Sequence, residues 1–401
     1  MQIIKKILII ISKTLAVSGL IALIAVTATS ISPVYRFHIP EPFAGPDIFN
    51  PYEGTDSSTC WKRANFHTHT RVDGPLNECD FTPEEVLESY DRLGYDIVTF
   101  SNHNKLTKNP LGTEYQADAY EHGYNLLKFH KLVFGCSQVK GFDHLLPLTA
   151  FQKQFQFNML GKDCDFIQFN HPLRTEGLPK RQMEKLEGYR IIELDSGRST
   201  ENEYWDWALS AGIYSFGLAN DDLHYPDRSG RIAVRSNFLD CESGRYEDVK
   251  NTLLSGGFYS MRTPDYGNGD WNIKYARNRD LPYVREIGLR NDTVHIALSE
   301  PADSIVFTGQ DHRLLYCSDN TDKAEYVFSN NDSYARITVY FADGEVIYSN
   351  PFARYDKSRS DSPFRPARHS VNVILTLLYN LSLAVIFIGL VLAVRTIIKK
   401  R

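Results

Sequence analysis

His67 and His69 stand in the stretch ANFHTHTR at 64–71, an apolar lead-in that reads as a short strand running to its end. Positions i and i+2 of a strand face one side, so both imidazoles point into one space. Such a pair serves equally as half of a metal site or as the edge of a solvated strand. What decides is whether other segments deliver similar groups to the same place. Four further stretches do so: His103 in SNH, His144 in FDHLL, His171 in NHP, and Asp222 with His224 in NDDLH, while Asp73 lies just beyond the first pair. A lone histidine at a strand end is more often a structural hydrogen-bonder; the joint order favours ligands. Imidazole with carboxylate suits zinc, iron or manganese, and a set this large implies two or three divalent ions. Ions that close together suit displacement at phosphorus or at a carbonyl. Arg174, in HPLR directly after His171, is a candidate contact for an anionic substrate, a solvated loop arginine being the alternative. His38, His122, His130, His295, His312 and His369 lack a convergent context and read as structural or surface.

The elements that would position these groups follow a helix–glycine–strand rhythm from about residue 61. Thr82-Pro83-Glu84-Glu85 has the form of a capping box with proline at the first helical position, and its helix runs to Leu93 with Gly94 as a left-handed cap. The strand YDIVTF leads into Ser101-Asn102-His103. A helix ending near Gly161 is followed by DFIQF and then by Asn170-His171-Pro172. Thr200 to Glu203 has the form of another capping box, Gly212 closes that helix, and IYSFGLA leads into NDDLH. LEGYRIIELDS and LLSGGFYSM read as two more strands of this kind. Short, nearly all-apolar strands alternating with helices argue for parallel strands covered by helices. The number of units, and the lack of a Gly-rich phosphate loop, favour a barrel with its site at the C-terminal strand ends.

The order HxH, H, H, H and DxH at these strand ends resembles the PHP superfamily of metal-dependent phosphoesterases, over about residues 61–262. The β-rich stretch ending in EVIYSNPF looks like the β-domain of that superfamily's carbaryl-hydrolase-like branch. The resemblance implies that His67, His69 and Asp222 hold one metal, His144 and His171 a second, and His103 and His224 with Asp73 a third. It implies an enzyme; Asp222 and His224, with Arg174 as the candidate substrate contact read from its position, are the residues expected to serve catalysis. Two departures from the family pattern stand out. Asn102 replaces the aspartate expected before His103. The metal-bridging glutamate expected on LVFGCSQV, near Ser137, is absent, with Glu193, Asp195, Asp143 and Asp221 the candidate stand-ins. A membrane-anchored phosphoesterase is therefore the leading expectation. The alternatives are a non-catalytic metal-binding interaction module, motivated by that missing glutamate, or an amide or carbamate hydrolase on the same site.

The fold expected is α/β: a distorted (β/α) PHP-type barrel over 61–284 and a small β-sandwich over 285–352, whose runs TVHIAL, SIVFTG and YARITVYF are bounded by turn signals. Residues 36–60 and 353–370 read as linkers. Both ends are of another kind. Thr14 to Ser32 carries no charge and is long enough to cross a bilayer, so 1–35 reads as an anchor, or as a signal cleaved around VTATS. Val371 to Val394 is a second uncharged run, and 371–401 reads as a transmembrane helix with a basic tail. Lys5, Lys6 and Lys13 favour a cytoplasmic N-terminus. The middle of the chain would then be extracytoplasmic, or periplasmic in a Gram-negative cell, with lipid as a partner. The net charge of −5 offers no basic nucleic-acid surface, and spans without ionisable residues offer no ion pathway. The six cysteines fall in that middle, where disulfides and free thiols are both admissible.

Overall fold

The computed structural model describes residues 2–75, 77–196, 199–200 and 202–399. It is a mixed α/β structure bracketed by two apolar helices, α1 (Gln2–Thr29) at the start and α7 (Val373–Lys399) at the end. Both are long and apolar enough to cross a membrane. They leave the folded domain side by side from a two-stranded antiparallel ribbon, Tyr35–Arg36 against Ser370–Val371. Asn380, polar inside its apolar run, donates to the Ser32 carbonyl at 3.1 Å, and Tyr379 donates to the Ser30 carbonyl at 3.0 Å. These bonds engage carbonyls that follow the last turn of α1. Lys400 and Arg401 of the basic tail lie outside the described residues.

Between the helices run the strands β1 (Lys62–Asn65), β2 (Ile97–Val98), β3 (Tyr120–His122), β4 (Lys131–Phe134), β5 (Phe166–Phe169), β6 (Ile191–Ser196), β7 (Phe216–Asn220), β8 (Arg235–Leu239) and β9 (Phe258–Arg262). Helices α2 (Pro83–Asp91), α3 (Ala150–Leu160), α4 (Asn202–Ser210), α5 (Tyr246–Ser255) and α6 (Trp271–Asn278) pack around them. The box at Thr82 forms as the sequence predicts, Glu85 N donating to Thr82 Oγ1 and Thr82 N to Glu85 Oε2. The cap read at Thr200–Glu203 falls partly on Glu201, outside the described residues.

Among the described residues these strands make two sheets and no closed barrel. One has the order β7-β6-β5-β4-β3, parallel across β7, β6 and β5 but antiparallel at β5–β4 and β4–β3. The other contains β2-β1-β8-β9, and only its β1–β2 pair is parallel. Single parallel bridges, Thr68 with Leu223 and His103 with Glu121, link the two sheets. The all-parallel expectation fails at β4 because only residues 123–130 separate it from β3. Those eight residues are too few for a crossover, which takes a dozen or more, so the chain turns back as a hairpin.

Downstream come β10 (Val284–Arg290), β11 (Thr293–Gly309), β12 (Arg313–Val327), β13 (Tyr334–Tyr340) and β14 (Val346–Ser349). These strands, read from sequence as a separate sandwich, join the second sheet: β14 pairs antiparallel with β9, Tyr259 opposite Ser349 and Met261 opposite Ile347. A shared core of Tyr259, Met261, Ile287, Phe307, Ile337 and Ile347 buries that seam. Below α4, Asp206 accepts from Arg336 Nε at 2.8 Å and Nη2 at 2.6 Å, tying the helix to β13. All six cysteines are free thiols.

Candidate metal centre

β1 ends in Asn65, and the chain beyond it carries His67 and His69 into the junction of the two sheets, both fully buried. Glu121, on β3, is the centre of what gathers there. Its Oε2 lies 3.3 Å from His67 Nε2, 3.4 Å from His69 Nε2 and 3.2 Å from His103 Nε2. Its Oε1 lies 3.2 Å from His130 Nδ1 and 3.3 Å from His171 Nε2, and accepts from Asn170 Nδ2 at 2.8 Å. Asp222 Oδ1 completes the first group, 3.1 Å from His67 Nε2 and 3.3 Å from His69 Nε2. At the mouth, Glu78 Oε2 lies 3.1 Å from His103 Nε2 and 2.9 Å from His224 Nε2. Arg174 donates to Asp222 Oδ2. His171 and Asp222 have φ of 25° and 49°, a conformation that non-glycine residues rarely adopt.

Three overlapping groups have the donor chemistry for a metal: His67, His69, Glu121 and Asp222; His69, Glu78 and His103; and His103, Glu121 and His130. Whether they fit one can be tested on distance and on unused donors. Ligands held at 2.0–2.2 Å from one ion stand roughly 2.9–3.6 Å from each other, the range of the contacts above. His67 Nε2 and His69 Nε2 are buried, face carboxylates, and make no hydrogen bond. A buried polar atom left in that state is costly. The set fits divalent metal.

The surroundings fix this set. Glu193, on β6, holds His67 Nδ1 at 2.9 Å through Oε1 and accepts from the His171 backbone N at 2.9 Å through Oε2. Asn102 accepts from Thr70 N at 2.8 Å and donates to Thr70 Oγ1 at 2.7 Å, clamping the loop after His69. Burial works against ionising Glu121, yet His103, His67 and His130 hold its carboxyl well below the usual range. Burial likewise opposes ionised Asp222, and His67, His69 and His224 outweigh it. His103 and His224 together hold Glu78 far down. For His103, burial lowers and Glu121 with Glu78 raises, the net effect pushing it up to about 9. The carboxylates stay ionised among the imidazoles, a mixed donor set that suits a divalent cation.

Of the residues singled out in the sequence, His67, His69, His103, His171, Asp222, His224 and Arg174 come together here; His144 and Asp73 do not. His144 uses both ring nitrogens elsewhere, Nε2 on the Ile31 carbonyl at 3.3 Å and Nδ1 with Gln156 Nε2 at 3.1 Å. Burial pushes it down to about 4, so it is a neutral ring docking the domain against the end of α1. Asp73 is exposed, and Glu78 from the same loop takes the mouth position instead. The glutamate sought near Ser137 is Glu121, one strand earlier, and His130 joins it. Both follow from the reversal of β4: its N-terminal end, not its C-terminal end, faces the centre. The available signal was an acid in an otherwise apolar strand, AYEH at 119–122.

No family model matches the chain, and no curated protein matches it. Among solved structures it matches a two-domain Bacteroides vulgatus protein containing a predicted PHP-like metal-dependent phosphoesterase. The two share 14% identity and a TM-score of 0.36, over 78% of this chain and 99% of that one. A likeness at that level leaves the weight on the side chains.

Proposed function

We propose that the protein is a membrane-anchored, extracytoplasmic metal-dependent hydrolase acting on phosphoesters, of the PHP-like kind its motif order resembles. One observation carries the reading: a single buried carboxylate, Glu121, faces the Nε2 atoms of His67, His69, His103 and His171 from both sheets, those of His67 and His69 making no hydrogen bond. Divalent ions bound there would supply an activated water and neutralise charge on the attacking and leaving oxygens. The chain supplies the rest. His67, His69, Glu121 and Asp222 would hold one ion, with His171 and His130 on the other side of Glu121 and His103, Glu78 and His224 at the mouth. Arg174, partly exposed beside Asp222, can turn its free guanidinium nitrogens to a phosphate and orient it, since planar guanidinium matches that anion. Burial of His67 and His69 keeps bulk water from the inner ligands.

The alternative of a non-catalytic module was motivated by the lack of an acid near Ser137; Glu121 between the histidines supports the catalytic reading over it. An amide or carbamate substrate would use the same groups, so a substrate panel separates the two. The test is metal content and hydrolysis of a chromogenic phosphoester by the purified full chain. Two or more equivalents of zinc, manganese or iron are expected. Glu121→Gln should lower turnover by at least about 100-fold, the upper range for merely supporting groups around a metal. Unchanged turnover in Glu121→Gln, or activity indifferent to chelation, would end this reading.

A further inference from the structure

The opposite ends of the strands carry a second site. Residues just ahead of β6 and β7 meet the segment that leads into α7, and a cavity of about 450 Å³ lies between them. Arg190, Arg359, Arg365 and Arg368 line it, against one carboxylate, Glu187. Glu187 is already engaged: it accepts from Arg368 N at 2.9 Å and Nε at 3.3 Å, and faces His38 Nδ1 at 3.1 Å and His369 Nδ1 at 3.0 Å. Arg359 pairs with Asp356 at 3.0 Å along an exposed turn. Arg365 donates to the Glu41 and Pro42 carbonyls, at 3.2 and 3.1 Å. Arg190 stacks with its guanidinium carbon 3.8 Å from the centre of the Phe364 ring and has no ion pair among the described residues.

The cavity therefore gathers more positive charge than it neutralises. Burial lowers Arg190; burial and then Arg368 lower Arg365, with Glu41 acting the other way. Arginine is the side chain that matches phosphate in a planar, two-pronged way. The cavity also has an address: Arg368 is five residues from Val373, where α7 begins.

We propose that this cavity binds a phosphate-bearing anion, the source within reach being the phosphodiester headgroup of an anionic lipid. Bound there, the headgroup would seat the domain beside α1 and α7. The inference rests on the membrane-anchored part of the proposed function and not on hydrolysis.

The experiment titrates the purified full chain, in neutral detergent, with phosphatidylglycerol, phosphatidylcholine, glycerol phosphate and inorganic phosphate, counting bound ligand by native mass spectrometry. Phosphatidylglycerol should bind and phosphatidylcholine should not. A basic residue near an anionic surface is worth about fivefold in binding, so Arg190→Gln with Arg359→Gln should weaken binding about 25-fold. Arg359→Gln alone, at an exposed position, should weaken it about fivefold and guards against a folding failure in the pair. If glycerol phosphate or inorganic phosphate displaces the lipid, the site stands and its source is a soluble phosphate; if neither does, the source is lipid. Equal binding of the two lipids, or equal binding by wild type and both variants, overturns the site. Metal content and phosphoester hydrolysis on the same samples report the other end of the strands, so a failure there is read separately.

Discussion

Glu193 shows how the centre is held by residues that need touch no ion. One of its oxygens fixes His67 Nδ1 and the other fixes the His171 backbone, at 2.9 Å each, so it sets two candidate ligands at once. A histidine oriented through its other ring nitrogen is a better ligand, and loss of such a partner costs 10–100-fold in affinity. Glu193→Gln keeps the shape and removes the charge. We expect the metal dissociation constant, read by competition with a chromogenic chelator, to rise about 10–100-fold while the folded core survives. Affinity equal to wild type would leave Glu193 a packing residue. At this scale, the histidines and Asp222 at the C-terminal ends of parallel strands were legible in the sequence, because strand periodicity says where such ends are. His130 and Glu121 were not, because their strands' direction depends on a pairing that no local pattern records. Glu78 and Asp73 share an irregular loop, where spacing gives no guide to which acid turns inward.

The elements explain why the reading of alternating helices and strands went astray where it did. The eight-residue link from β3 to β4 was on view in the sequence and too short for a parallel crossover; strand content was readable, strand direction needed that count. The downstream strands alternated clearly enough to be seen as β-structure, but their edge partner β9 lies in the preceding segment. The joint is also electrostatic. Asp206 of α4 and Arg336 of β13 are both buried and doubly hydrogen-bonded, and removing one partner of such a pair costs about 3–5 kcal/mol. Arg336→Met should therefore lower the unfolding free energy by about 3 kcal/mol in a denaturant titration, and an effect below about 1 kcal/mol would mean that His312 and Tyr334 satisfy Asp206 unaided. Lys153 on α3 makes a pH-dependent claim. Its ammonium is buried against neutral acceptors, the Pro147 carbonyl at 2.6 Å and Gln182 Oε1 at 2.8 Å, and burial lowers it from 10.5 to about 8. Between those values the unfolded chain holds a proton that the folded chain has released. Stability then rises with pH across that window, by at most about 1.4 kcal/mol per pH unit, and is lost as pH falls through the folded value. Comparing wild type with Lys153→Met at pH 8 and pH 10 isolates the term, and parallel pH dependences would remove it.

For the whole molecule, the question is whether α1 stays. A cleaved signal and a retained anchor have the same composition, so the sequence alone left both open. The contacts favour retention. The Ile31 carbonyl receives His144 Nε2 at 3.3 Å, Thr29 Oγ1 accepts from Leu145 N at 3.2 Å, and the Ser30 and Ser32 carbonyls receive Tyr379 and Asn380 of α7. Cleavage around residues 26–30 would strip Thr29 from the Leu145 backbone N and Ser30 from Tyr379 of α7, while Ile31 and Ser32 would stay on the mature chain. Leaving such groups without partners costs roughly 1–3 kcal/mol each, whereas retention uses every one of them. With both helices kept, the proposed anchoring would put the two tails on one side of the membrane and the candidate metal centre on the other. Intact mass of the membrane-extracted protein should therefore match a chain that begins at or next to Met1. Tags at both termini should resist protease in sealed inside-in vesicles while the domain between them is cut. A mature chain beginning near residue 30 would sink the anchor and with it the α1–α7 pair. Protection of the domain in place of the tails would reverse the orientation, and would put the candidate metal centre and the arginine-lined cavity on the cytoplasmic face.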